Sequence, residues 1–105
     1  MNGHDKLHAL LGSIGEIDGI SGNPIVKDAF DGMKNRIVEI VGIPGLSEER
    51  IYVAANEIDG MSLDLYRSGV VAAMPEEKRK AIGRLRRETK EAVRSVMESI
   101  GVFLH

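Results

Sequence analysis

The chain has no cysteine, no tryptophan, three prolines and four aromatic rings in 105 residues. Without cysteine, disulfides and thiolate metal sites are excluded. The rings are Phe30, Tyr52, Tyr66 and Phe103, so the core must be built from Ile, Val, Leu, Ala and Met. Long apolar runs are missing too. The longest, Val70 to Met74, falls far short of the roughly 20 residues that a bilayer-spanning helix needs. The N-terminus has no basic segment followed by an apolar stretch, so no secretory signal is read there. The expectation is a cytoplasmic protein with no membrane association. Strict alternation and clusters of β-branched residues are also absent, which argues against strands.

What is present is helical spacing. The length fits one domain, residues 1–105. A first helix is predicted over Asp5 to Ile17, with Leu7, Leu10, Leu11, Ile14 and Ile17 as its stripe, followed by a turn at Asp18–Gly22. Gly12 and Gly15 lie off that stripe and weaken the helix. In the second helix Asn23 is the cap, Pro24 the first helical residue, and Val26, Phe30, Met33, Ile37 and Ile40 the buried face. Gly42 and Pro44 end it. A third helix opens at Ser47, carries Ile51, Ala55, Ile58, Ser62 and Leu65 inward, and ends near Ser68–Gly69. Val70–Ala73 is an apolar link, read as either a buried connection or a continuation of the third helix. Pro75 opens the fourth and longest helix, with Ile82, Leu85, Thr89, Ala92, Val93, Val96, Met97 and Ile100 on one face. Four helices with short connections predict an all-α, four-helix, up-and-down bundle. Area scaling suggests that roughly 65% of the unfolded chain's surface is buried in a protein this small. A core so thin favours completion by a second copy, and the expectation is a homodimer.

Charge is unevenly spread. Residues 1–75 hold six Lys or Arg against eleven Asp or Glu, whereas residues 76–105 hold eight against five. On the fourth helix Arg79, Arg87, Lys90 and Arg94 cluster away from the apolar stripe, as phosphate contacts require. Glu76, Glu77, Glu88 and Glu91 dilute that field, and no aromatic residue is interleaved on the helix to stack on bases. Residues Ala55 to Arg67 superficially follow a helix-turn-helix pattern with Gly60 at the turn. Its spacing is off by one residue at Asp59, and Asp64 would repel phosphate from the recognition helix. An ordinary helix with one exposed glycine is the simpler reading.

Catalytic patterns are lacking. His4 and His8 are one turn apart, but two ligands do not hold zinc, and no Glu-x-x-His motif supplies the rest. No serine stands in a Gly-x-Ser-x-Gly elbow, and the Gly-x-x-Gly spacings at Gly12–Gly15 and Gly19–Gly22 follow no strand that could build a phosphate loop. No cofactor is expected. The sequence therefore points to a non-enzymatic helical interaction module, a small adaptor, regulator or assembly subunit that meets a protein partner through its helix faces. The alternative is a nucleic-acid-associated regulator using Arg79, Arg87, Lys90 and Arg94. Val102, Phe103 and Leu104 keep the C-terminal segment apolar and are the expected oligomer contacts.

Overall fold

The computed structural model describes residues 2–102, apart from the side chains of residues 18–21. Five helices lie within them: α1 (Gly3–Ser21), α2 (Pro24–Gly42), α3 (Glu48–Arg67), α4 (Gly69–Ala72) and α5 (Glu76–Ser99). No strand occurs among the described residues. The predicted first helix is longer at both ends than its stripe indicated. The Asn2 side chain accepts a hydrogen bond from the Asp5 N–H at 2.9 Å and starts it earlier. The predicted turn at Asp18–Gly22 is helix as far as Ser21. Gly22, at φ 59°, is the residue that adopts the left-handed conformation ending α1. Only Gly22 and Asn23 then separate α1 from α2.

The other boundaries follow local chemistry. Asn23 accepts from the Ile25 N–H at 2.8 Å, and the Ser47 hydroxyl accepts from the Arg50 N–H at 3.3 Å. Ser68 serves two helices. Its hydroxyl donates to the Leu65 carbonyl at 2.8 Å and accepts from the Val71 N–H at 3.4 Å. This hinge turns the apolar link into the short helix α4, and buries Val71. Helix α5 closes with Gly101 at φ 86°. There the Val102 N–H bonds back to the Met97 carbonyl at 2.9 Å and the Gly101 N–H to the Glu98 carbonyl at 3.1 Å. That pair of bonds is the Schellman pattern.

The stripes converge on one core. Leu7, Leu10 and Ile14 of α1 meet Val26, Phe30, Met33, Ile37 and Ile40 of α2, Ala54, Ala55, Ile58 and Leu65 of α3, and Ile82, Leu85, Ala92, Val93, Val96 and Met97 of α5. Ile100, expected to be buried, is only half-buried because it is the cap residue that follows α5. Each long helix packs on two others: α1 on α2 and α5, and α3 on α2 and α5. Thr89 occupies a core position with no exposed surface. Its hydroxyl is satisfied by donating to the Leu85 carbonyl at 2.7 Å, one turn back on its own helix.

Candidate functional site

Besides its buried apolar face, α5 carries ion pairs to both neighbouring helices. On the α3 side, Arg86 reaches inward with its side chain 12% exposed. Its guanidinium donates to Asp59 Oδ1 at 2.7 Å, to the Asp59 carbonyl at 3.2 Å and to Ser62 Oγ at 3.0 Å. On the α1 side, Lys6 Nζ donates to Glu91 Oε1 at 2.8 Å and to Ser95 Oγ at 2.8 Å. The hydrogen bond and charge of Lys6, with Arg94 adding to them, hold the Glu91 carboxyl below the usual carboxylate range. Glu57 and Asp59, two residues apart on α3, diverge as helical geometry requires: Glu57 pairs with Arg36 of α2, whereas Asp59 pairs with Arg86.

With the sides of α5 committed to its neighbours, its outer face is left to solvent. An open groove of about 890 Å³ lies between the C-terminal end of α3, the elbow at α4 and the first half of α5. Tyr66, Arg67, Arg79, Lys80, Arg84 and Arg87 line it, with Gly83 in its wall and Glu76 and Glu77 at the start of α5. A second groove, of about 640 Å³, continues along α5 past Arg87 to Lys90, Glu91 and Arg94, with Asp59 and Arg86 on its other side. Arg87 borders both. From Arg79 to Arg94 the track is about 22 Å long at the helical rise.

The four sequence-selected cations do not all stand alike. Arg79 and Arg87 share the first groove, and Arg87, Lys90 and Arg94 share the second. Arg94 is already engaged along its own helix, by Glu98 at 3.3 Å and Glu91 at 3.9 Å. Among the described residues, Arg79, Arg87 and Lys90 form no ion pair, and neither do Arg67 and Arg84. The diluting glutamates are partly occupied: Glu76 by Lys80 at 3.2 Å, and Glu91 by Lys6. The first groove is lined by five cations against two acids, Glu76 and Glu77, the second of which has no ion-pair partner among the described residues.

Two contributors were not visible on the α5 sequence. Arg67 and Tyr66 come from the last turn of α3, brought beside α5 by the four-residue α4. Tyr66 is 49% exposed, and a Cβ built on Gly83 would lie 3.9 Å from its Cε2. The aromatic residue missing from α5 is thus supplied from another helix. The sequence signal was the adjacency of Tyr66-Arg67 to the Ser68-Gly69 break. The helix-turn-helix pattern is not present, because α3 runs unbroken through Gly60.

Other sequence candidates give less. His4 and His8 are exposed, and no group of three or more His, Cys, Asp or Glu among the described residues could hold a metal ion. No helix among the described residues is long and apolar enough to cross a membrane. Val102 is half-buried against the core of its own chain, whereas Phe103 and Leu104 lie outside the described residues. No protein-family model matches the chain, and comparison with curated proteins and with solved structures gives no significant match.

Proposed function

We propose that this protein is a non-enzymatic, cytoplasmic helical interaction module whose binding face is the basic groove between the end of α3 and the first half of α5, and whose partner is a polyanion. The observation that carries this reading is the set of five cations along the groove and its continuation, Arg67, Arg79, Arg84, Arg87 and Lys90, that have no ion-pair partner among the described residues. Unneutralised charge gathered on one face attracts a ligand of opposite sign.

The first expectation, a protein partner held on apolar helix faces, is the second reading, and its surface would be sought where the end of α2 meets the start of α3. Among the described residues, the large exposed apolar side chains are Ile25 and Val38 on α2, Ile43 after it, and Tyr52, Val53 and Tyr66 on α3. An apolar docking surface needs a contiguous patch of several hundred Å², about the largest a typical monomer exposes. Within this reading the chain folds as a four-helix up-and-down bundle with α4 as an elbow, and works as a homodimer whose copies meet around Val102, Phe103 and Leu104.

The test is binding of labelled single-stranded and duplex oligonucleotides and of polyglutamate, measured across a salt series. Affinity for the preferred polyanion should fall steeply with salt. The double variant Arg87→Ala/Lys90→Ala should fold normally and flatten the log–log slope by about 0.7 to 0.9 per lost phosphate contact. A wild-type protein that binds none of these probes at low salt defeats the reading.

A further inference from the structure

We propose that the groove binds single-stranded nucleic acid, with one base stacked on Tyr66 and the adjoining phosphates held by Arg67, Arg79, Arg84 and Arg87. The inference rests on the polyanion reading above and names its ligand.

Charge alone does not account for the groove. Tyr66 stands among the arginines with half its surface open. It lies beside Gly83, the one position on this stretch of α5 without a side chain. A Cβ at position 83 would only touch the ring, at 3.9 Å, so a longer side chain there would fill the space alongside it. An exposed ring next to bare backbone, in a groove lined by five cations and by two acids at the start of α5, has the parts that single strands use. The ring stacks on a base, and the cations track the phosphates. Four of the five unpaired cations are arginines. A planar guanidinium can hold a phosphate through two hydrogen bonds or stack on a base itself, which lysine cannot do.

Duplex and acidic protein fit less well. Bases inside a duplex are already stacked and offer no face to Tyr66. Helix α5 contains no Asn or Gln to read base edges, so it lacks part of the usual side-chain set for a major groove. An acidic peptide would use the arginines and leave the ring without a role.

The sequence supplies a direct readout. There is no tryptophan, and Tyr52 and Tyr66 are the only tyrosines. In a Tyr52→Phe background, tyrosine fluorescence therefore reports Tyr66 alone. The probes are oligo-dT and oligo-rU of equal length, an abasic phosphodiester of that length, a duplex and polyglutamate. We expect the two base-bearing strands to bind and to quench Tyr66, and the abasic strand to bind weakly without quenching. The dT and rU arms show whether DNA or RNA is preferred. Tyr66→Ala should lower affinity for the base-bearing strands by about 5- to 150-fold, to the abasic level, and Tyr66→Phe should retain it. Equal, salt-dependent binding of abasic and base-bearing strands overturns this inference and leaves the polyanion reading standing. Tighter binding of duplex or of polyglutamate overturns it likewise. Binding of no probe at all overturns both.

Discussion

Three side chains show how residue-level chemistry sets the tolerance of this chain. Phe30 has no exposed surface and is the bulkiest fully buried side chain among the described residues. In an otherwise aliphatic core little can move to refill its space. Phe30→Ala should cost about 3–5 kcal/mol, readable as a drop in the denaturant midpoint, and that is a large share of a small domain's stability. Thr89 was legible from sequence only as a position on the apolar stripe. Its hydroxyl survives burial because α5 offers its own Leu85 carbonyl at 2.7 Å, a bond that spacing alone does not reveal. Lys6 and Glu91 were less legible still, since they lie 85 residues apart and meet only because α1 packs on α5. Their pairing makes a pH prediction with a definite sign. The folded-state pKa of Glu91 is depressed, so its contribution to stability is fully present above the unfolded carboxylate pKa. That contribution is lost as pH falls through the lower folded value. An NMR titration of the Glu91 carboxyl should give a midpoint below the ordinary glutamate range, and Lys6→Met should return it toward that range. An unchanged midpoint in the variant would remove Lys6 as the cause.

At the level of helices, periodicity carried most of the information. The inward face of α2 could be read residue by residue and that of the long C-terminal helix all but Ala81 and Ile100, because three-and-four spacing leaves little freedom once a core exists. Ends were harder. Gly19 and Gly22 look alike in sequence, yet only Gly22 takes the left-handed conformation that stops α1. The elbow was harder again, since four apolar residues fit either a link or a helix until Ser68 is seen capping one helix and closing another. That ambiguity hid the groove, whose tyrosine comes from one side of the elbow and most of whose arginines come from the other. Glycines within helices separate into two kinds that sequence does not distinguish. A Cβ on Gly3 would lie 2.8 Å from Val96 Cγ2 and 3.0 Å from the Val96 backbone, so α1 approaches α5 there by having no side chain. A Cβ on Gly60 would meet nothing within 4 Å. Gly60→Ala should therefore stabilise the protein by about 1 kcal/mol through helix propensity. Gly3→Ala, at the first helical position where the gain in propensity is smaller, should destabilise by about 1–3 kcal/mol because the helices must part. Thermal melts of the two variants moving in the same direction would show that the close approach at Val96 is dispensable.

The whole molecule bears on whether a second copy is needed. Its radius of gyration is 13.4 Å, close to the roughly 13 Å expected of a compact chain of this length. Its solvent-accessible surface is 6177 Å², against about 5800 Å² from the scaling for a monomer of its mass. The excess is smaller than the approximately 800 Å² that each partner gives up in a stable interface of ordinary size. Burial is already close to that of a self-sufficient chain. Val102, one of the three residues expected to meet a partner, spends part of its apolar surface on its own core beside the end of α5. The proposed homodimer would therefore form between chains that are already folded. Two consequences can be measured together. Sedimentation velocity should show a dimer at high micromolar concentration that dissociates on dilution, and far-UV circular dichroism should stay constant through that change. The variant Phe103→Ser/Leu104→Ser spares Val102 and the bonds that close α5, so it should weaken dimerisation without lowering the melting temperature. A loss of helicity that follows dissociation would show that the second copy completes the core after all. A monomer at every concentration would remove the dimer and leave the groove to act on one chain alone.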